Sequence, residues 1–253
     1  MHILEQRSSR TLNQETLITV EHLGRDYARH RAVDDVSFKV RRGEVLGFLG
    51  PNGAGKTTTM HIICGVLAPS AGRVIIAGHD IIEFPEEAKA HIGYLPEQPP
   101  LYFDLTVDQY LHYCACLRRM PRPQRSGAVV NSKARCGLDA VGHRLIGNLS
   151  KGFQQRVGIA QAIVHSPALV ILDEPTVGLD PHQIVEIREL ITELGADHSV
   201  ILSTHILSEV QAICDRVLII HQGRLILDEA IDALRAGGAL NFTIALRRPP
   251  VPE

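Results

Sequence analysis

Nine residues, Gly50-Pro51-Asn52-Gly53-Ala54-Gly55-Lys56-Thr57-Thr58, constrain this chain more tightly than anything else in it. They fit the pattern of a glycine, four residues, then Gly-Lys-Ser/Thr, and they lie where that pattern has chemical meaning. An apolar strand, read from Glu44 to Gly50, leads into the loop, and Thr58 to Leu67 reads as the helix behind it. Glycines allow backbone N–H groups to close around phosphate oxygens, at a helix N-terminus that already favours anions. Lys56 is placed to reach the β- and γ-phosphates, and Thr57 to offer a hydroxyl to Mg²⁺. The loop predicts a bound nucleotide.

Size and charge exclude several other classes. The chain has 253 residues, enough for one large domain with a subdomain. Its 26 basic and 28 acidic residues nearly balance, so the charge footprint of a nucleic-acid binder is missing and no nucleic-acid partner is expected. Five cysteines in a chain of this size read as reduced thiols of the cytosol. Residues 1–16 read as a loose polar arm without the apolar stretch of a signal peptide. No segment approaches the ~20 apolar residues of a membrane span.

Strands are expected at Leu17–Val20, Ala32–Val40, Val74–Ala77, Leu169–Leu172, Val200–Leu202, Val217–Ile220 and Arg224–Leu227. Helices are expected at Glu86–Ala90, Thr106–Met120, Gln124–Cys136, Gln154–His165, His182–Leu194, Leu207–Asp215 and Ala230–Arg235. Helices alternating with apolar strands imply an α/β fold with a mostly parallel sheet covered on both faces. Between Pro96 and Gly147 the rhythm breaks into a helical insertion. Its segment Arg118–Arg135 carries six basic residues and no acid, which reads as a solvated face or as a surface for an anionic partner. Leu240–Glu253 begins like a strand and ends at Arg247-Arg248-Pro249-Pro250.

A second piece of phosphotransfer chemistry follows. Leu169 to Leu172 is an apolar strand that ends in Asp173 and Glu174. In phosphate-loop ATPases an Asp at such a strand end holds Mg²⁺, and Glu174 is then placed to polarise the attacking water. Ser150 is a good N-cap for a helix beginning at Lys151, and that N-terminus is a second anion site.

On these residues the chain resembles the ATP-binding cassette family. Asn148-Leu149-Ser150-Lys151-Gly152-Phe153-Gln154-Gln155-Arg156 is similar to the family's signature motif, just ahead of the Asp-Glu strand. Asp180 resembles the D-loop residue, His205 the switch histidine, and Tyr27 the aromatic that stacks on adenine. The resemblance spans residues 17–228. It implies a RecA-like phosphate-loop core with an antiparallel β subdomain and an inserted α-helical subdomain at about 97–165, within a 17–237 domain. Residues 238–253 would form a short tail. It further implies ATP and Mg²⁺ as cofactors, with Ser150, Lys151, Gly152 and Asp180 meeting ATP held by a second copy or a related cassette. A membrane permease on another chain would be the remaining partner, at the cytoplasmic face of the membrane.

Two departures from the family pattern matter. Glu97, with Gln98 beside it, stands where the family usually has Gln; a carboxylate still suits Mg²⁺. Lys151 and Phe153 replace commoner Gly and Gln, which resembles exporter-type cassettes, including multidrug-export and gliding-motility ones. Cys114 and Cys116, two apart on a helix, face different ways and make a poor metal pair. A soluble cassette ATPase of DNA repair or translation is the alternative, but the chain has no long coiled-coil arm and no second cassette.

Overall fold

The computed structural model describes residues 15–28 and 30–236. The expected arm and the strand expected after Leu240 lie almost wholly outside them. Two sheets organise the rest. The first is antiparallel, in the order β2-β1-β4-β5: β1 (Thr16–Tyr27), β2 (His30–Arg41), β4 (Ala71–Ile76) and β5 (His79–Asp80). The second has six strands in the order β10-β9-β3-β8-β7-β6. Its parallel members are β3 (Val45–Leu49), β6 (Ile92–Leu95), β7 (Leu169–Asp173), β8 (Ser199–Thr204) and β9 (Arg216–His221). Only β10 (Arg224–Ala230) runs antiparallel, paired to β9.

The central strands are buried on both faces, as a parallel sheet requires. Leu169 and Ile171 of β7 join a core shared with the antiparallel sheet and with α1 (Lys56–Ile63). Val170 and Leu172, pointing the other way, join a core shared with α5 (Lys151–Ile163), α6 (Pro181–Leu194) and α7 (Leu207–Ile213). That second core continues into the inserted helices α3 (Val107–Leu117) and α4 (Arg122–Arg135). Two short helices remain, α2 (Pro85–Ala90) after β5 and α8 (Ile231–Ala236) at the end.

Local chemistry sets the boundaries. The α1 helix stops at Ile63 rather than running to Leu67. Val66 N–H returns to His61 O and Gly65 N–H to Ile62 O, both at 2.9 Å, with Gly65 at φ +63°. That is a Schellman turn, which a glycine in the left-handed region makes easy. Thr106 opens α3 with a capping box: its hydroxyl accepts from Gln109 N–H, and the Gln109 side chain accepts from Thr106 N–H at 3.0 Å.

Ile92–Leu95, which local pattern does not mark as a strand, forms β6 at the edge of the sheet. Four residues are too few to show alternation; pairing with Leu169–Leu172 makes them a strand. The basic segment also turns out differently from a free cationic face. Arg119 pairs with Glu86 at 2.6 Å, Lys133 with Asp108 at 2.5 Å and Arg135 with Asp197 at 3.1 Å. Arg125 donates to Met120 O at 2.8 Å and Arg118 to Lys89 O at 3.3 Å. Most of these charges tie the insertion together and to its surroundings.

Candidate active site

Strand register brings the distant motifs together. Leu49 pairs with Thr204, and Asp173 with Ser203, so β3, β7 and β8 end at the same edge of the sheet. Ligands of open α/β sheets bind outside the carboxyl ends of the strands. A cleft of about 540 Å³ lies there. It is lined by Tyr27, Asn52, Gly53, Gly55, Lys56, Thr57 and Thr58 on one side and by Glu97, Glu174 and His205 on the other.

The phosphate loop crosses directly from β3 into α1. Gly55, at φ +107°, could not be another residue: a Cβ there would sit 2.5 Å from Ala32 O. Gly50 and Pro51 turn their carbonyls inward, where Lys56 Nζ donates to them at 2.8 and 3.3 Å. Ala54 is buried and backs the loop.

Glu174 stands at the centre of the site. Its Oε1 lies 3.2 Å from Lys56 Nζ, an ion pair without hydrogen-bond alignment, and both side chains are under 10% exposed. Its Oε2 accepts from His205 Nδ1 at 2.9 Å. Against a carboxylate, Nδ1 carries the proton, which leaves Nε2 of the half-exposed ring available to a ligand in the cleft. The Glu174 backbone is at φ +48°, a strained conformation for a residue with a side chain. Its N–H holds it there by donating to Ser203 O at 3.1 Å and Ser203 Oγ at 3.2 Å. Strain of this kind costs about 1–3 kcal/mol and concentrates at functional positions. Here it aims a carboxylate at the phosphate loop.

Asp173, one residue earlier, is fully buried. Its Oδ1 accepts from the Ser203 hydroxyl, whereas Oδ2 has no hydrogen-bond partner. A buried, unmatched carboxylate oxygen at a strand end suits a hard cation with oxygen ligands. Thr57 and Glu97, also oxygen donors, line the cleft, whereas Asp173 is buried and not part of its lining. Gln98, one residue from Glu97, is not part of its lining. Among the described residues, no cluster of three or more His, Cys, Asp or Glu side chains forms an all-protein metal cage.

Tyr27 closes the outer end of the cleft from the last position of β1. Arg25 lies over its ring, 4.8 Å from the centroid.

Four expected site residues lie elsewhere. Ser150, Lys151, Gly152 and Asp180 do not line this cleft. Ser150 caps α5, accepting from Phe153 N–H at 3.4 Å. Asp180 caps α6, accepting from Gln183 N–H at 2.9 Å. The two caps pack together: a Cβ on Gly152 would meet Gln183 Cδ at 2.8 Å, and Lys151 Nζ occupies the space beside Gly178. These residues were expected to meet ATP held by a second cassette, and in this chain they lie apart from Lys56.

Sequence reasoning missed Ser203, Thr176, Thr204 and Glu209, which surround Asp173 and Glu174 from behind. One signal for Glu209 was present. It sits in the buried stripe of α7 with Val210 and Ile213, where a carboxylate needs a buried partner.

A phosphate loop and a strand-end Asp-Glu pair converging on one crevice of a parallel sheet define a phosphate-loop ATPase. Residues 33–177 match the profile described as "ABC transporter". The chain is 39% identical to the ABC transporter ATP-binding protein NatA of Bacillus subtilis over 206 residues, covering 81% of this chain and 84% of that one. It is 37% identical to the bacitracin transport ATP-binding protein BcrA of Bacillus licheniformis over 222 residues, 87% of this chain and 72% of that protein. The solved cbiO1 of Clostridium perfringens, part of the ABC transporter complex cbiONQ, superposes with TM-score 0.80 at 30% identity, covering 88% and 92% of the two chains. The protein belongs to the ABC transporter family, as an ATP-binding subunit and ATPase.

Proposed function

We propose that this subunit powers export through a permease carried on a separate chain, and that Glu174 is the group that activates water. The observation that carries this reading is the position of Glu174, buried between Lys56 and His205 and facing the phosphate loop. ATP entering the cleft stacks its adenine on Tyr27 and lays its phosphates along Asn52–Thr58. Lys56 meets the β- and γ-phosphates and so is drawn from Glu174, which frees Oε1 for water. His205 Nε2 faces the γ-phosphate position while Nδ1 stays on Glu174, so one ring couples the γ-phosphate to the catalytic carboxylate.

Thr57, Asp173 and Glu97 would hold Mg²⁺, which when bound neutralises charge developing on the phosphate oxygens. The unmatched Asp173 Oδ2 supports this donor set. Ser150, Lys151, Gly152 and Asp180 are assigned to the ATP of a second cassette, in a head-to-tail dimer with two nucleotides between the copies. Their separation from this cleft supports that reading, as does the exposed helix N-terminus they form. No helix among the described residues is long and apolar enough to cross a membrane. By likeness to ATP-binding subunits of transporters, the transport path is assigned to the permease, with this chain at the cytoplasmic face. Export as the direction rests on the exporter-like motif variants and on likeness to a bacitracin transport protein.

Glu174→Gln tests the reading. The variant is expected to bind ATP, lose hydrolysis and elute as a dimer with ATP on size-exclusion chromatography. Retained hydrolysis removes Glu174 from its role; a monomer with ATP bound removes the head-to-tail dimer.

A further inference from the structure

One carboxylate behind the cleft has no part in the reaction above. Glu209, on α7, is 1% exposed. Its Oε1 accepts from Thr176 Oγ1 at 2.8 Å, and its Oε2 accepts from Thr204 Oγ1 at 2.8 Å. Arg188 Nη2, on α6, lies 3.5 Å from Oε1 and supplies the counter-charge. Thr176 follows Glu174 by two residues, and Thr204 immediately precedes His205. One side chain therefore grips both loops that carry the Glu174–His205 pair. Thr204 leaves little freedom in this arrangement. Its oxygen accepts from Ile206 N–H at 3.1 Å while its hydrogen goes to Glu209 Oε2.

We propose that Glu209 is a positioning residue for ATP hydrolysis, setting the placement of Glu174 against His205 through one hydroxyl on each loop. The proposal rests on Glu174 being the group that activates water. The residue type follows from the donors. Two hydroxyl hydrogens need two acceptor oxygens, which a carboxylate has and an amide does not. In Glu209→Gln the amide NH₂ must face either the Thr204 hydroxyl or the Thr176 hydroxyl with Arg188 beside it. Either choice turns one of the two threonine hydroxyls from donor to acceptor and leaves its hydrogen without the carboxylate oxygen that now takes it, in a buried place. The strained Glu174 backbone makes the arrangement sensitive, because a conformation outside the usual minima persists only where its surroundings enforce it.

The test is steady-state ATP hydrolysis by the full chain, with nucleotide binding and thermal unfolding measured on the same samples. Glu209→Gln is expected to lower kcat about 10-fold or more, since small displacements of reacting groups are this costly, while KM for ATP stays within about twofold. Thr176→Val keeps the side-chain shape and the Glu209–Thr204 bond, and is expected to lower kcat severalfold with KM unchanged. Thr176→Ser restores the hydroxyl and is expected to restore kcat. Should Glu209→Gln fail to fold, the Thr176 pair decides. The proposal is overturned if kcat stays near the starting value in Glu209→Gln and Thr176→Val, if it falls in step with ATP binding or thermal stability, or if Thr176→Ser does not recover it. Glu174→Gln, run alongside, separates the two assignments. If it still hydrolyses ATP, the catalytic role of Glu174 fails; if it is inactive while Glu209→Gln is not, only the positioning role fails.

Discussion

Replacing Asp173 by asparagine should make the nucleotide-free protein more stable and reduce the stabilisation that Mg²⁺ and ATP add. Asp173 is fully buried, and its two oxygens share one hydrogen bond, from Ser203 to Oδ1. A buried acceptor without a partner costs about 1–3 kcal/mol, and more when it is ionised. Asparagine keeps an oxygen for Ser203 and puts a neutral NH₂ in the place of Oδ2, where an unmet donor costs less than an unmet charge. The expected gain is about 1–3 kcal/mol without nucleotide, which for a chain of this size raises the unfolding midpoint by about 2–4 °C per kcal/mol. With Mg²⁺ and ATP the advantage shrinks. A ligand at about 100 times its Kd adds about 2.7 kcal/mol to the folded state. Asp173→Asn should lose the part of that gain that depends on the cation. Differential scanning calorimetry of both proteins, with and without Mg²⁺ and ATP, reads all four midpoints. A variant less stable than the parent without nucleotide, or one with an undiminished Mg²⁺-dependent shift, would refute the reasoning.

Two further predictions concern the joint between β6 and α5. Burial, aided by the nearby Arg118 charge, lowers the His165 pKa from an ordinary 6.5 to about 4, while its ring nitrogen donates to Ile92 O at 3.1 Å. Above the ordinary value neither state is protonated. As pH falls below it the unfolded chain takes up the proton first, so stability declines toward about pH 4 by up to about 3 kcal/mol. His165→Gln should flatten urea-denaturation stability over that window, and parallel pH profiles for the two proteins would sink the assignment. Separately, a Cβ on Gly93 would sit 2.1 Å from Ala162 O, so Gly93→Ala forces strand and helix apart. It should destabilise the fold by at least about 1–3 kcal/mol, seen as a lower urea midpoint at unchanged slope.

Much of the site was legible in the chain because phosphate chemistry uses contiguous residues. A loop of backbone N–H groups, a lysine at the first position of a helix and a strand ending in two carboxylates each need a run of fixed spacing, and Gly50–Thr58 and Leu169–Glu174 have it. The β3, β7 and β8 strands were readable for a related reason: buried parallel strands are short, continuous apolar runs. The edge strand β6 was not, since four residues carry too little pattern and hydrogen bonding to Leu169–Leu172 alone makes it a strand.

Other properties exist only between segments far apart in sequence. Register between β7 and β8 decides that Ser203 satisfies one oxygen of Asp173 and leaves the other open. Packing of α7 under two loops decides that Glu209 joins Thr176 to Thr204. Folding of the insertion onto its neighbours decides that the basic run from Arg118 to Arg135 is largely paired rather than free. The sequence by itself determined which groups can touch phosphate, because that chemistry is local. Tertiary structure decided which of them meet in one cleft and how each is held, because hydrogen bonds and ion pairs depend on distances that chain order does not set.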